Sequence, residues 1–254
     1  METDAWEFQA RVGGNPYSIA GIGDVAALTE VVTRQGSQSY RAFTEQFENL
    51  VKGLFAVSGF PGQADAQRLT QELSSLIRTF WPSAWADGIK PFGLTMGDLT
   101  GLELFALESA ISRDVAALPG FSQFVLQNNW RTIGDVPSRR TSPDRWREAI
   151  YGSPQWSKIQ ARIRLWWNGY HRIESEARQL AAGDRLMMWI LGPTEQHCPD
   201  CSKYAGRVYR GSTWAKWDVR PQHPRLACHG FNCQCRLQIT TEPITPGRPP
   251  RMTG

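Results

Sequence analysis

The sequence lacks the features that mark membrane and secreted proteins. No apolar run in its 254 residues approaches the roughly 18 residues that a membrane-spanning helix needs. The N-terminal residues METDAWEFQARVGG do not have the basic and apolar regions of a signal peptide. We therefore expect a soluble protein made in a reducing cytosol.

Cysteine and histidine are almost absent from most of the chain. Residues 1–187 contain no cysteine and one histidine. The five cysteines and the other three histidines all fall in one later stretch, as His197, Cys198, Cys201, His223, Cys228, His229, Cys233 and Cys235. In a reducing compartment such a cluster indicates metal binding rather than a set of disulfide bonds.

The common enzyme motifs are missing as well. The chain contains no H-E-x-x-H, no G-x-S-x-G and no G-x-x-x-x-G-K-[ST] sequence. His197 beside Cys198 would suit thiol catalysis, and Glu195 or Asp200 could serve as the base at a catalytic zinc. Both ideas compete with the use of the cysteines as structural ligands, so we expect a protein without catalytic activity.

Acidic and basic residues are unevenly distributed along the chain. Residues 1–110 carry 7 basic and 13 acidic residues, whereas residues 111–254 carry 21 basic and 11 acidic residues. The segment 131–172 alone has 9 basic and 3 acidic residues. This asymmetry predicts different partners for the two halves, and the basic half suits DNA or an acidic protein surface.

Apolar periodicity predicts an α+β protein that is mainly helical. A helix over 24–57 should be weakened at Gly36, and a second should end before Trp81-Pro82. Thr95 and Asp98 form a capping-box pattern before a third helix, which Gly120 should end, and a short helix is predicted over 122–130. Ser153-Pro154 should begin a long helix that ends at Gly183.

These elements suggest five segments along the chain. The predicted order is an N-terminal arm (1–23), a helical domain (24–130), a basic linker with a short helix (131–152), a cysteine-containing domain (153–240) and a proline-rich tail (241–254). With four prolines and little apolar surface, the tail is expected to be ordered only when a partner holds it.

The cysteine-containing domain should include a small sheet joined by a metal ion. The segments 186–191, 206–210 and 235–240 have the composition of short strands. The C-x-x-C turn at Cys198 and Cys201 and the C-x-C pair at Cys233 and Cys235 supply four thiolates, the ligand set of a structural zinc site. Cys228 or His229 could replace one of them.

The same stretch resembles the Mu F-like phage head morphogenesis proteins. The resemblance covers roughly residues 150–240 and consists of the long helix from Ser153, the strand Met188-Trp189-Ile190, Cys198-Pro199-Asp200-Cys201, Gly206-Arg207-Val208-Tyr209, His223-Pro224 and Cys233-Gln234-Cys235-Arg236. The family pattern makes His223 a further alternate ligand. The family usually has C-R-C where this chain has C-Q-C, and an additional segment here separates His223-Pro224 from that pair.

This resemblance implies a structural minor head protein of a tailed bacteriophage. Such a protein is present in several copies in the virion, lies at the portal vertex or inside the capsid, and contacts portal or major capsid protein. It assists head assembly and the packaging or delivery of DNA, which the basic segment 131–172 could contact.

A zinc-ribbon protein that binds nucleic acid is the alternative. The same basic segment contains Trp146, Trp156, Trp166 and Trp167, and aromatic side chains among basic residues suit base stacking. Their helical spacing, however, favours packing inside the protein.

Overall fold

The structure of the chain, a computed structural model, describes residues 38–55, 62–134, 151–193, 196–230 and 233–253. Within these residues the chain is mainly helical and carries one small antiparallel sheet, which confirms the predicted fold class. The helices are α1 (Gln38–Phe55), α2 (Gln63–Ile89), α3 (Gly101–Gly134), α4 (Pro154–Ala182), α5 (Pro199–Tyr204) and α6 (Gly211–Lys216). The strands are β1 (Leu186–Ile190), β2 (Val208–Arg210) and β3 (Arg236–Ile239).

The described residues form two compact units, and the division falls within α4. Residues 38–177 belong to the first unit and residues 178–253 to the second. The predicted arm (1–23), the first part of the helix predicted over 24–57 and most of the predicted linker lie outside the described residues. The five predicted segments therefore stay a prediction.

The first unit is built on helices whose buried side chains recur every three or four residues. On α1 this stripe includes Phe43, Phe47 and Val51, all with no exposed surface. Phe43 packs edge-on against Trp81 of α2, with ring centroids 5.1 Å apart. Aromatic packing of this kind removes large apolar areas from water and stabilises the helices far beyond their intrinsic propensity.

Helix α2 continues through Pro82, so the predicted end before Trp81-Pro82 is wrong. Proline removes one backbone hydrogen bond and costs roughly 3 kcal/mol in a helix interior. Trp81 and Trp85, one turn apart on the same face, have no exposed surface. Their burial favours a continuous helix, which ends at Ile89 and leads into a 3-10 turn at Lys90–Phe92.

Helix α3 likewise continues through Pro119 and Gly120, so the predicted end at Gly120 is wrong. Leu118 and Phe121 are buried on either side of this pair, and the separate helix predicted over 122–130 is the C-terminal part of α3. The capping box of Thr95 and Asp98 is confirmed, but it caps the start of a 3-10 turn at Met96–Asp98 rather than the start of α3.

A charged network lies among the helices of the first unit. The Asp114 carboxylate accepts a hydrogen bond from Trp81 Nε1 at 2.7 Å and from Arg172 Nη2 at 2.5 Å. Burial lowers the pKa of Arg172, and the negative charge of Asp114 opposes that shift. The network links α2, α3 and α4 because each helix contributes one member.

Helix α4 begins as predicted. The Ser153 hydroxyl accepts a hydrogen bond from the backbone N–H of Trp156 at 3.2 Å, and the helix ends before Gly183, which has a φ of 51°. Trp156 packs edge-on against Tyr151, and Trp166 stacks against Phe47 with ring centroids 5.8 Å apart. Their spacing therefore serves packing, as expected.

The second unit contains all three strands, in the order β2-β1-β3, with both pairings antiparallel. The register places Met188 opposite Val208 and Trp189 opposite Leu237. Trp189 and Trp214 have no exposed surface, and their ring centroids lie 5.7 Å apart. Both rings also contact Tyr204 of α5, so they form an apolar core between the sheet and that helix.

The proline-rich tail is held by the second unit itself, so the expectation that it requires a partner for order is wrong. Thr245 exchanges hydrogen bonds with the backbone of Val208 and thereby extends along the outer edge of β2. Farther on, the Tyr204 hydroxyl donates to the carbonyl of Pro250 at 2.9 Å. Hydrogen bonds with the second unit thus hold the tail in place, and the composition of the tail alone does not reveal them.

No helix among the described residues has both the length and the apolar character required to cross a membrane.

The charged network leads to a prediction about the stability of the first unit. Replacing Asp114 with alanine should lower the free energy of unfolding by about 3–5 kcal/mol, because it leaves the Arg172 guanidinium largely buried without its counter-ion. Urea denaturation followed by circular dichroism measures this change. As a control, Glu48→Ala breaks a more exposed ion pair with Lys52 and should cost about 1 kcal/mol or less. Equal losses in the two variants would contradict a structural role for the network.

Candidate metal centre

The C-x-x-C turn forms the start of helix α5. Cys198 is the N-cap residue, and its sulfur accepts a hydrogen bond from the backbone N–H of Cys201 at 3.4 Å. Pro199 occupies the first helical position, where its missing N–H and fixed φ cost little. This short helical turn places both sulfur atoms on the same side of the backbone.

Asp200, between these two cysteines, joins three segments of the second unit. Its buried carboxylate accepts hydrogen bonds from the backbone N–H of Ala227 at 2.8 Å and from the Thr253 hydroxyl at 2.8 Å. Burial raises the pKa of Asp200, but these bonds outweigh that effect and lower it below its ordinary value. The Ala227 contact holds the neighbouring Cys228 beside the C-x-x-C turn.

The C-x-C pair is positioned by backbone contacts. The side-chain amide of Gln222 donates hydrogen bonds to the backbone carbonyls of Cys233 at 2.6 Å and Cys235 at 2.7 Å. The loop also passes so close to Gly192, after β1, that a Cβ there would lie 2.5 Å from the Cβ of Gln234. Only glycine permits this approach, which brings Cys233 and Cys235 beneath the end of β1.

The five sulfur atoms consequently meet in one cluster. They form two sets of three, Cys198/Cys201/Cys228 and Cys201/Cys233/Cys235, within which all sulfur atoms lie within 4.8 Å of one another. The sulfurs of Cys201 and Cys233 are 3.7 Å apart. None of the five cysteines, all of which are described, forms a disulfide. The cluster could therefore hold a metal ion.

The thiols change one another's pKa values. Hydrogen bonds from Cys201 and Cys228 lower the pKa of Cys198, and those from Cys201 and Cys228 also lower the pKa of Cys233. The interaction with Cys198 raises the pKa of Cys201. Closely packed thiols thus ionise unequally, because adjacent thiolates repel each other. A bound cation would remove this conflict by allowing all of them to be deprotonated.

Two of the three histidines in this part of the chain are directed elsewhere. His223 Nδ1 accepts a hydrogen bond from the backbone N–H of Arg225, and its Nε2 lies 3.2 Å from Asp218. His229 is exposed, and its Nδ1 lies 3.0 Å from the carbonyl oxygen of Pro224. The structure therefore brings neither of these alternate ligands into the two sulfur sets.

His197 is the histidine that does approach the sulfurs. Its Nδ1 lies 4.0 Å from the sulfur of Cys235, although sequence reasoning did not include it among the candidate ligands. The signal for it in the sequence is its position directly before the C-x-x-C turn. Of the predicted ligands, the structure brings together Cys198, Cys201, Cys233 and Cys235, and it adds the alternate Cys228.

Asp200 and Glu195 are the two candidate bases for a catalytic metal. Asp200 is occupied by the hydrogen bonds that hold Ala227 and Thr253, and Glu195 lies outside the described residues. Comparisons with protein-family models, with curated proteins and with solved structures found no match for this chain.

The position of Gln222 yields a prediction about the C-x-C loop. Gln222→Ala removes the donor to two buried carbonyls and should lower the stability of the second unit by about 1–3 kcal/mol. Thermal unfolding at a fixed zinc concentration measures the effect. Gln127→Ala, on the exposed face of α3, provides the matched control and should have little effect. A loss no larger than that of the control would mean that the loop holds its shape without Gln222.

Proposed function

We propose that the chain is a structural minor head protein of a tailed bacteriophage, with a C-terminal module closed by zinc. The supporting observation is that the Mu F-like elements converge in space. The C-P-D-C turn and the C-Q-C pair meet at one sulfur cluster, while the Trp189 strand and the G-R-V-Y strand pair side by side in the sheet next to it. Motifs that are separate in the sequence but meet at one place in the structure favour a single module over a chance combination of motifs.

Zinc suits the donor set better than the other common biological cations. Thiolates bind zinc at about 2.3 Å, which places the sulfurs of a tetrahedral site about 3.8 Å apart. The 3.7 Å separation of Cys201 and Cys233 agrees with that edge. Magnesium and calcium prefer oxygen ligands, and no carboxylate is a member of either sulfur set.

The proposed role of the metal is to join segments rather than to perform chemistry. Cys201, Cys233 and Cys235 are buried, and a catalytic zinc needs an open coordination position beside a base. A metal ion in the cluster would instead tie together the α5 turn, the loop after α6 and the entry to β3. A cross-link of this kind stabilises a small module whose core is limited.

The charge pattern supports the proposed partners. Residues 178–254 carry 11 basic and 5 acidic residues, so the second unit favours an acidic surface of a portal or major capsid protein. The basic segment 131–172 would contact packaged DNA. The alternative, a nucleic-acid-binding zinc ribbon, is less favoured because Trp156 and Trp166 already pack against other aromatic rings of the chain.

Metal removal provides the first test. The purified chain should contain zinc, and a chelator should lower the unfolding temperature of the second unit. Most of the helical signal should remain, because the core of the first unit contains no cysteine. Zinc should restore the transition and magnesium should not. Less than about half an equivalent of zinc, together with thiols that react freely, would exclude the zinc site.

Incorporation into particles tests the assembly role. In cells that produce the phage encoding this chain, the protein should co-sediment with DNA-containing heads and remain bound after a high-salt wash. Particles lacking the portal protein provide the control, because a portal-bound protein should be depleted from them. A chain that stays in the free-protein fraction and is missing from virions would contradict the proposed function.

A further inference from the structure

The cluster contains more donor atoms than one tetrahedral ion can use. Five cysteine sulfurs meet there, and His197 Nδ1 lies 4.0 Å from the sulfur of Cys235. A structural zinc ion takes four ligands. A single ion would therefore leave at least one buried thiol and an imidazole against the site without a coordinating role.

The grouping of the sulfurs indicates how the donor atoms beyond the first four would be used. Four ligands of one ion should all lie about 3.8 Å from one another. The sulfurs instead form two sets of three that share Cys201. Within each set the sulfur atoms lie within 4.8 Å of one another. Cys198 and Cys228 lie on one side of the shared sulfur, and Cys233 and Cys235 lie on the other. This is the arrangement expected when one thiolate bridges two metal ions.

One further donor completes the set that contains Cys233 and Cys235, where the sulfurs of Cys201 and Cys233 are 3.7 Å apart. His197 lies beside Cys235 and supplies the fourth donor on that side. A zinc ion bound by sulfur and nitrogen has an edge of about 3.6 Å between them, so only a small closure of the 4.0 Å gap is needed.

We infer that the cluster is a binuclear centre for two divalent, thiolate-binding ions such as zinc. One ion is bound by Cys198, Cys201 and Cys228, the other by Cys201, Cys233, Cys235 and His197, and Cys201 bridges the two. This inference deepens the proposed function and rests on its zinc site.

Charge favours two ions over one. Five thiolates around a single divalent ion leave an excess of three negative charges in a largely buried place, whereas two ions reduce the excess to one. Buried charge without a counter-charge is costly, so the second ion stabilises the fully deprotonated cluster.

Metal stoichiometry of the full-length protein tests the inference directly. The chain is stripped of metal under reducing conditions, dialysed against zinc and analysed by elemental analysis and native mass spectrometry. Two zinc ions per chain are expected. One ion per chain would overturn the binuclear centre and leave the proposed zinc site intact, whereas none would overturn both.

Cobalt provides a readout of the bridge itself. Two high-spin cobalt ions joined by a thiolate couple magnetically, so the paramagnetic resonance signal should rise up to one equivalent and fall as the second binds. A signal that increases steadily to two equivalents would contradict a shared ligand. Saturation at one equivalent would contradict the second ion.

Variants assign the two positions. His197→Ala and Cys235→Ser should reduce binding from two ions to one, whereas Cys201→Ser should weaken both. His229→Ala is the matched control, because that imidazole points away from the sulfurs, and it should retain two ions. If His197→Ala retains two tightly bound ions, the proposed ligand set is wrong. The stoichiometry of the unaltered chain decides the matter even if a variant does not fold.

Discussion

The contact among sulfur atoms around Cys201 is the constraint on which the second unit depends. Thiolates at this distance repel one another, and neutral thiols gain little from being packed together. Several specific hydrogen bonds nevertheless converge on this place, from the Gln222 side-chain amide to the carbonyls of the C-x-C pair and from the Ala227 backbone N–H to the Asp200 carboxylate. A cation bound there would connect the three segments that carry the sulfurs.

The helices of the first unit are held together by the packing of their side chains. Its helices are long and present continuous apolar faces, with Phe43, Trp81 and Trp85 fully buried. Even its charged network is internally balanced, since Asp114 pairs with Arg172. The second unit contains the cysteines and the first contains none, and this difference follows from the size of their apolar cores. A core of long helices buries enough apolar surface, whereas a three-stranded sheet with short helices needs a cross-link.

Local patterns predicted the elements well where the chain itself determines them. Ser153-Pro154 begins α4, and the three short strands were found from composition. Prediction failed where distant packing decides. Pro82 and Gly120 are breakers by local rules, but buried tryptophan and phenylalanine beside them keep the helices continuous. The cysteine cluster was predictable from residue spacing. The selection among its donors was not, because it depends on how Asp200 and Gln222 draw remote loops together.

The hydrogen bonds between Asp200 and Thr253 have a practical consequence for anyone who handles this protein. Residue 253 lies at the C-x-x-C turn, so any polypeptide attached after it leaves the module beside Cys198 and Cys201. A polyhistidine tag placed there would carry a row of imidazoles to the ligands of the proposed metal and compete for it. Metal measurements on such a protein would report the tag as much as the cluster.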